Sequence, residues 1–510
     1  MWQDLLNGYS HALQFSNLLA IISGSFLGFM VGAFPALDTT VATALMVPLT
    51  FTLPPTQAIL MLSAIYCSGV YAGQIPAILF RIPGSGEAIM TTFDGCKLAE
   101  KGQANKALGY GLSASVVGGV IGSIMLTFGS LYLVNIALKF GPSEYFALGV
   151  FAIVCISGLS GKSIIKGLII GAIGMLLATV GIDSIAGMPR FTFGSKVLLG
   201  GIGFLPATIG LFAGAEVFKQ VARDRPFSIS IGETDKTSVA ANVKQKIRIE
   251  LPRLSEFFLM KWTILKSAII GGLIGLMPGV GGTTAAIVSY GEAVRSSKHP
   301  ETFGEGEIEG VVAPEVANNA AAPAAMIPML CLGIPGSANT AIILGAFMIH
   351  GIDAGPLFLI QQKEIAFTIF AGVLLAQFVF FSIAFVGVIP FLKLRSLPGP
   401  FLAVFILSFA IVGTAATGEP YAMPLAVIMG IFGYILERYG FPLAPIVFGM
   451  VLGPIIEKSL RRAMVITQYD FIAVVSRPIT LTLLLGAVLV VCFPLVKLIF
   501  RNRKSSTDLK

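Results

Sequence analysis

Two kinds of residue in this chain could do chemistry where ordinary packing does not call for them. Prolines and glycines interrupt long apolar runs, as in Ile82-Pro83-Gly84-Ser85, Pro278-Gly279-Val280-Gly281-Gly282-Thr283-Thr284 and Ile334-Pro335-Gly336-Ser337-Ala338-Asn339. Amides and carboxylates also stand inside apolar sequence, notably Asp38, Glu315, Asn318 and Asn319. Proline removes a backbone donor and clashes with the preceding turn, while glycine permits otherwise strained angles. A membrane helix carrying both is broken into halves or turned into a re-entrant hairpin. Backbone exposed at that depth is tolerated only where it lines a cavity or is buried in protein. Freed N–H groups at a half-helix N-terminus favour an anion, and freed carbonyls favour a cation.

On that reasoning the candidate anion-binding residues are Pro35, Gly84, Ser85, Pro278, Gly279, Gly281, Gly282, Thr283, Thr284, Gly336, Ser337 and Asn339, with Asn318 and Asn319 between the second-half elements. Asp38, Thr39, Thr40 and Asn319 are the candidates for a coupling cation. Arg81 joins the anion set as a lone cation beside Pro83, although a long side chain snorkelling to the interface explains it equally well. Plainer readings stand beside the rest. Glycine and proline also serve close packing and kinks in membrane helices, amides also glue helices together, and Glu315 reads best as an interfacial residue at a helix start.

The elements that must position these residues are membrane segments. Of 510 residues, 55% are hydrophobic and 12% charged, half the charge of an ordinary soluble domain. The apolar runs number about ten to thirteen, the first from Phe15 to Phe34, close to the ~20 residues a bilayer core requires. The start has no basic residue and no small-residue cleavage site, so it does not read as a cleaved signal peptide. Between Lys219 and Lys266 stand ten basic residues against five acidic, and the tail carries Lys497, Arg501, Arg503, Lys504 and Lys510. By the positive-inside rule both belong in the cytoplasm. The net charge of +8 is dispersed between apolar runs, which argues against nucleic acid as a partner.

The basic loop divides related halves. Gly32, Pro35 and Thr40 superpose on Gly275, Pro278 and Thr283 at a shift of 243. Ile75–Ser85 matches Ile327–Ser337 at a shift of 252, with six of eleven positions identical. Lys97, Lys101 and Lys106 follow the first of these motifs, whereas no basic residue follows the second until Lys363. Opposite loop charge at corresponding places is the mark of inverted-topology repeats. The expected organisation is a first repeat over 1–218, a basic cytoplasmic linker over 219–262 and a second repeat over 263–510.

Other chemistries fail. Cys67, Cys96, Cys155, Cys331 and Cys492 are scattered, odd in number and set in apolar sequence, and His11, His299 and His350 complete no zinc pattern. Ser160-Gly161-Lys162-Ser163 lacks the earlier glycine of a phosphate loop, because residue 156 is isoleucine. Neither a Gly-x-Ser-x-Gly elbow nor a His-Glu-x-x-His pair occurs, so an enzyme is not expected.

Gly275-Leu-Met-Pro-Gly-Val280, Phe303-Gly-Glu-Gly-Glu-Ile-Glu-Gly310 running through Ala313-Pro-Glu315-Val-Ala-Asn-Asn319, Leu332-Gly-Ile-Pro-Gly-Ser337, and Thr92-Phe-Asp-Gly95 leading to Lys101-Gly-Gln-Ala104 carry a further signal. Together they resemble the large membrane subunit of bacterial tripartite tricarboxylate transporters, the TctA type. The resemblance implies a multi-pass protein of the bacterial inner membrane importing a di- or tricarboxylate with Na+ or H+ as coupling ion and no other cofactor. It also implies a small membrane subunit and a periplasmic substrate-binding protein as partners. Ala36 replaces the usual glycine after Pro35, and Arg81 stands where asparagine is common, which leaves the particular carboxylate open. The expectation is an all-α polytopic bundle of two inverted repeats with broken or re-entrant helices. The competing expectation is a membrane receptor that anchors a solute-binding protein without moving solute.

Overall fold

The computed structural model describes residues 2–34, 37–159, 163–183, 185–222, 248–394 and 399–507. Pro35, Ala36, residues 160–162 and the centre of the basic linker lie outside the described residues. The chain is 78% helical, and the β-structure among the described residues is one ribbon of two short strands, Gly181–Ile182 against Pro189–Arg190. Among the described residues, four helices are long and apolar enough to cross a membrane: Phe15–Gly32, Pro55–Phe80, Ala104–Ala137 and Lys363–Val388. Shorter apolar helices, such as Thr39–Thr50 and Ala338–Ile349, stand between them.

Before the linker run α1 (Trp2–Ala12), α2 (Phe15–Gly32), α3 (Thr39–Met46), α4 (Pro55–Ala72), α5 (Gln74–Phe80), α6 (Thr91–Glu100), α7 (Ala104–Ala137), α8 (Pro142–Leu159), α9 (Ile164–Ala178), α10 (Phe204–Ile209) and α11 (Ala215–Ala222). After it come α12 (Lys261–Leu276), α13 (Gly281–Ser296), α14 (Glu309–Ala324), α15 (Met326–Leu332), α16 (Ala338–Ile349), α17 (Lys363–Leu394), α18 (Gly399–Ala416), α19 (Ala422–Arg438), α20 (Ala444–Ile466) and α21 (Pro478–Thr507). They gather into two compact units, Met1–Val134 with Leu205–Tyr434 and Asn135–Phe204 with Ile435–Lys510. Each unit draws on both sides of the linker.

In the first unit α2 lies on α4 as α12 lies on α14. The contact is backbone to backbone. A Cβ on Gly28 would stand 2.4 Å from the Ile65 carbonyl oxygen, and one on Gly271 2.2 Å from that of Ala317. Gly32 meets Gly69, and Gly275 meets Ala321, in the same way. These pairs obey the two shifts read from the sequence, because 28 and 32 become 271 and 275 at 243 while 65 and 69 become 317 and 321 at 252. Where lipid removes the hydrophobic drive between helices, close approach along small residues supplies dispersion contact instead.

The long helices cross over between halves. α7 packs on the second half: Tyr110 and Ala114 join Ile264, Ala268, Val312, Val316 and Ala320 in one apolar cluster, and Gly118 and Gly122 approach the carbonyls of Val316 and Ala320. Reciprocally, Ala376 of α17 packs with Ile21, Leu60 and Ala64, and Phe380 of α17 stacks on Tyr71 at 5.2 Å between ring centroids.

The second unit repeats this exchange, with α9 on α20 through Gly174 against the Ile446 carbonyl and Gly449 against that of Gly171. It also holds a polar cavity of 310 Å³, lined in part by Asp183, Arg190, Glu457, Lys458 and Arg461. Arg461 Nη1 donates to Asp183 Oδ2 at 2.7 Å, and Arg190 donates to both oxygens of Glu457 at 2.6 and 3.2 Å. The Ile185 N–H, donating to Oδ1 at 2.8 Å, and the Arg461 guanidinium hold the Asp183 carboxyl down at about 2. A carboxyl depressed by folding contributes stability above its ordinary pKa of about 3.9 and loses it as pH falls toward the folded value. The melting temperature of Asp183→Asn should therefore lie below that of the native chain by a constant margin above about pH 5. That margin should shrink as the pH approaches 2, as light-scattering-monitored melts in acid-stable detergent would record.

Candidate functional site

The matched sequence motifs fold into matched backbone. α4 stops at Gly73 and α5 continues for seven residues to Phe80, just as α14 stops at Ala325 and α15 runs seven residues to Leu332. The short helices end on a left-handed residue, Arg81 (φ 57°) or Gly333 (φ 70°). The next residue in each case, Ile82 or Ile334, donates its N–H back to Pro76 or Pro328. Both chains then extend through Ser85 and Ser337. At Gly84 and Gly336 the loop returns so close to the helix break that an added Cβ would stand 2.7 Å from Gly73 Cα and 2.6 Å from the Ala325 carbonyl oxygen.

Two half-sites result, each built from both halves of the chain. In one, the N-terminus of α3 meets the second loop. Asp38 caps α3, its Oδ1 accepting from the Thr40 N–H at 2.8 Å and from Thr40 Oγ1 at 2.9 Å. Thr43 Oγ1 reaches Asn339 Oδ1 at 2.9 Å, and the Tyr66 hydroxyl lies 3.1 Å from Ser337 Oγ. Ser337 also forms a reciprocal cap with Thr340 at the start of α16. In the other, the N-terminus of α13 meets the first loop. Glu87 Oε1 lies 3.0 Å from the place a Gly282 Cβ would occupy, and Thr283 Oγ1 stands at the same distance from that of Gly86. Asn318 Nδ2 donates to the Glu87 carbonyl at 3.2 Å. Tyr66 and Asn318 are themselves related by 252, as are Glu87 and Asn339. The Gly279 N–H ties the Pro278 loop to the Gly336 carbonyl at 3.0 Å.

Behind the loops lies a buried polar layer. Glu315 accepts from Thr91 Oγ1 at 2.5 Å, Ser115 Oγ at 3.1 Å and Asn319 Nδ2 at 3.5 Å, and Gln74 Nε2 donates to Ser115 at 3.1 Å. Asn319 Nδ2 also bonds Asn318 Oδ1 at 2.6 Å and the Glu315 carbonyl at 3.0 Å. Three oxygens bordering the half-sites are buried with no hydrogen-bond partner: Thr39 Oγ1, Ser85 Oγ and Glu87 Oε2. Thr39 belongs to the first half-site and Ser85 and Glu87 to the second; buried polar atoms are nearly always paired, so each of these oxygens is open to a further partner.

The structure brings together Thr39, Thr40, Ser85, Gly279, Gly282, Thr283, Asn318, Asn319, Ser337 and Asn339. Thr284 instead donates to the Val280 carbonyl of its own helix. Pro35 lies outside the described residues. Glu315 does not sit at an interfacial helix start: it is fully buried within α14, because hydroxyls from α6 and α7 converge on it. Arg81 is exposed, its backbone doing the work that Gly333 does in the partner motif. A side chain in the left-handed region costs about 1 kcal/mol. Arg81→Gly should therefore raise the chain's stability by roughly 0.5–1 kcal/mol, the gain being reduced by glycine's greater freedom in the unfolded state. Thermal melts of the purified protein would check this.

Sequence reasoning missed Glu87, Tyr66, Thr43 and the Thr91–Ser115 pair. It also missed the role of Asp94. This buried carboxylate takes the N–H groups of Gly304, Gly306 and Glu307 on Oδ1 at 2.8, 2.9 and 2.7 Å and the Tyr290 hydroxyl on Oδ2 at 2.8 Å. The repeated glycines of Gly304-Glu-Gly306-Glu, both at positive φ, shape the backbone that delivers those donors.

Broken helices paired across two halves, among apolar helices of which several are long enough to cross a bilayer, are consistent with an all-α multi-pass membrane protein. Residues 18–448 match the model of the tripartite tricarboxylate transporter TctA family, and the chain belongs to that family. It is 34% identical over 500 residues to an uncharacterized 52.8 kDa protein in the TAR-I ttuC' 3' region of Agrobacterium vitis, covering 97% of each chain. It is also 39% identical over 225 residues to an uncharacterized protein in the TAR-II ttuC' 3' region of the same organism, covering 43% of this chain and 92% of that one. No solved structure matches the chain.

Proposed function

We propose that this chain is the large membrane subunit of a secondary transporter in the bacterial inner membrane, importing a di- or tricarboxylate by symport with Na+ or H+. The observation that carries the proposal is the pair of half-sites, in which helix N-termini and extended Pro-Gly-Ser loops leave buried oxygens without partners. Half-helix N-termini of α13 and α16 and the hydroxyls of Thr283, Ser85 and Ser337 suit the substrate carboxylates. Asp38, Thr39, Thr40 and Asn319 offer the oxygens that a sodium ion would take if the coupling ion were Na+. The correspondence of the two halves at shifts of 243 and 252, together with their opposite loop charge, supports two inverted-topology repeats that alternate access by moving against one another. A small membrane subunit and a periplasmic binding protein that delivers substrate complete the assembly in this reading; the word tripartite in the family description supports further subunits.

The test is uptake of radiolabelled citrate, succinate and malate into vesicles holding this chain with the small membrane subunit encoded beside it. The matching binding protein is added, and a sodium or proton gradient is imposed in turn. Uptake that requires both the binding protein and one gradient is the expected result. Docking of the binding protein without uptake of any carboxylate would instead favour a receptor.

A further inference from the structure

The two half-sites differ most at one related pair of positions. Asn339 is paired, its Oδ1 accepting from Thr43. Glu87, its counterpart, is 9% exposed and leaves Oε2 buried without a partner. Every element around Glu87 offers it something other than a cation. Its own loop gives the unpartnered Ser85 hydroxyl. Helix α13 gives Gly282 and Thr283, and α14 gives Asn318, bonded to the Glu87 main chain, and Glu315. Helix α4 gives Tyr66, and the cap of α3 gives Asp38. Among the described residues, the charged side chains acting on Glu87 are thus both acidic. Glu315 differs in kind, because three side-chain donors satisfy its oxygens. Two carboxylates in contrasting environments take different roles.

A bare carboxylate charge at membrane depth with no cation or donor is costly, and such residues mark proton paths in transporters. We propose that Glu87 is the group that carries the coupling proton, so that the coupling ion is H+. The proposal rests on the carboxylate-symport reading above. The proton comes from water on the substrate-loading side, sits on a Glu87 carboxylate oxygen while substrate is bound, and leaves to water on the other side after release; no other bond changes. An anionic substrate beside the first loop repels an ionised Glu87 and tolerates a protonated one. Proton and substrate therefore favour each other's binding, and the coupling is reciprocal.

The test uses the complete assembly in proteoliposomes with radiolabelled citrate and succinate. In the native protein, an inward proton gradient should drive accumulation without sodium, and apparent affinity should rise about fivefold or more as pH falls from 8 to 6. Glu87→Gln should lose gradient-driven accumulation, while exchange of internal for external substrate continues with its pH dependence gone. Glu87→Asp, still able to hold a proton, should recover part of the accumulation. Gel filtration checks that each variant is folded. Sodium-driven uptake in the native protein that Glu87→Gln leaves intact would overturn the proposal while sustaining carboxylate symport. Loss of both accumulation and exchange in folded Glu87→Gln and Glu87→Asp alike would also overturn it, by making Glu87 a structural or substrate-binding group. No uptake by the native protein under any gradient would instead remove the symport reading itself.

Discussion

Asp94→Ala should cost this protein more stability than any other single truncation of a polar side chain described above. The substitution leaves three backbone N–H groups, those of Gly304, Gly306 and Glu307, and the Tyr290 hydroxyl without their common acceptor. Breaking a buried charged network by removing one member costs about 3–5 kcal/mol, because the abandoned donors keep their desolvation penalty. Asp94→Asn retains one acceptor oxygen and the shape of the side chain, so it should fall between the two. Fluorescence-detected gel filtration after heating would rank the three proteins. Equal stability of Asp94→Ala and the native chain would mean that water satisfies the loop as well as the carboxylate does. The same loss should appear in uptake, since α6 follows directly on the loop that holds Ser85 and Glu87.

Asn319→Ala is expected to abolish carboxylate uptake while leaving the protein inserted and folded. The amide is 2% exposed, and it holds Asn318 Oδ1 at 2.6 Å while also reaching Glu315. Asn318 in turn grips the main chain of Glu87. Losing two such buried bonds at about 1.5 kcal/mol each corresponds to roughly a 100-fold loss in uptake. Vesicle uptake measured at matched protein levels would decide it, and full transport would remove Asn319 from the site. Comparing Asn318→Ala separates the two amides, since that change frees the Glu87 loop directly.

The sequence made the broken helices legible because proline and glycine act locally, within a turn of where they stand. Ile75–Ser85 and Ile327–Ser337 share six of eleven residues, and their backbones share the helix break, the left-handed cap and the extended serine. What lay beyond reach was pairing across the fold. Tyr66 and Ser337 are 271 positions apart, and Thr43 and Asn339 are 296 apart. Nothing in the local pattern around a tyrosine or threonine in an apolar helix says that it faces a distant loop. Glu87 was within reach, since carrying the 252 shift two residues past Ser85 sets it opposite Asn339. The two residues differ in charge, so identity counting passed over them. At Arg81 the charge stood out in the sequence, whereas the left-handed backbone angle it shares with Gly333 became visible only in the structure.

The exchange of long helices between the halves has a consequence for how the protein is made. The ribosome delivers α2, α4 and α7 before any of α14 or α17 exists. At that stage Gly118 and Gly122 of α7 have no Val316 or Ala320 to meet, and Ile21 and Leu60 lack Ala376. The early half therefore cannot reach its final packing during synthesis. The α2–α4 pair can form early, but α7 must wait in the bilayer with its small-residue face unpaired until the late half is threaded in. Premature termination just after the linker would yield a fragment with its small-residue stripes still open, a natural substrate for membrane quality-control proteases rather than half a transporter.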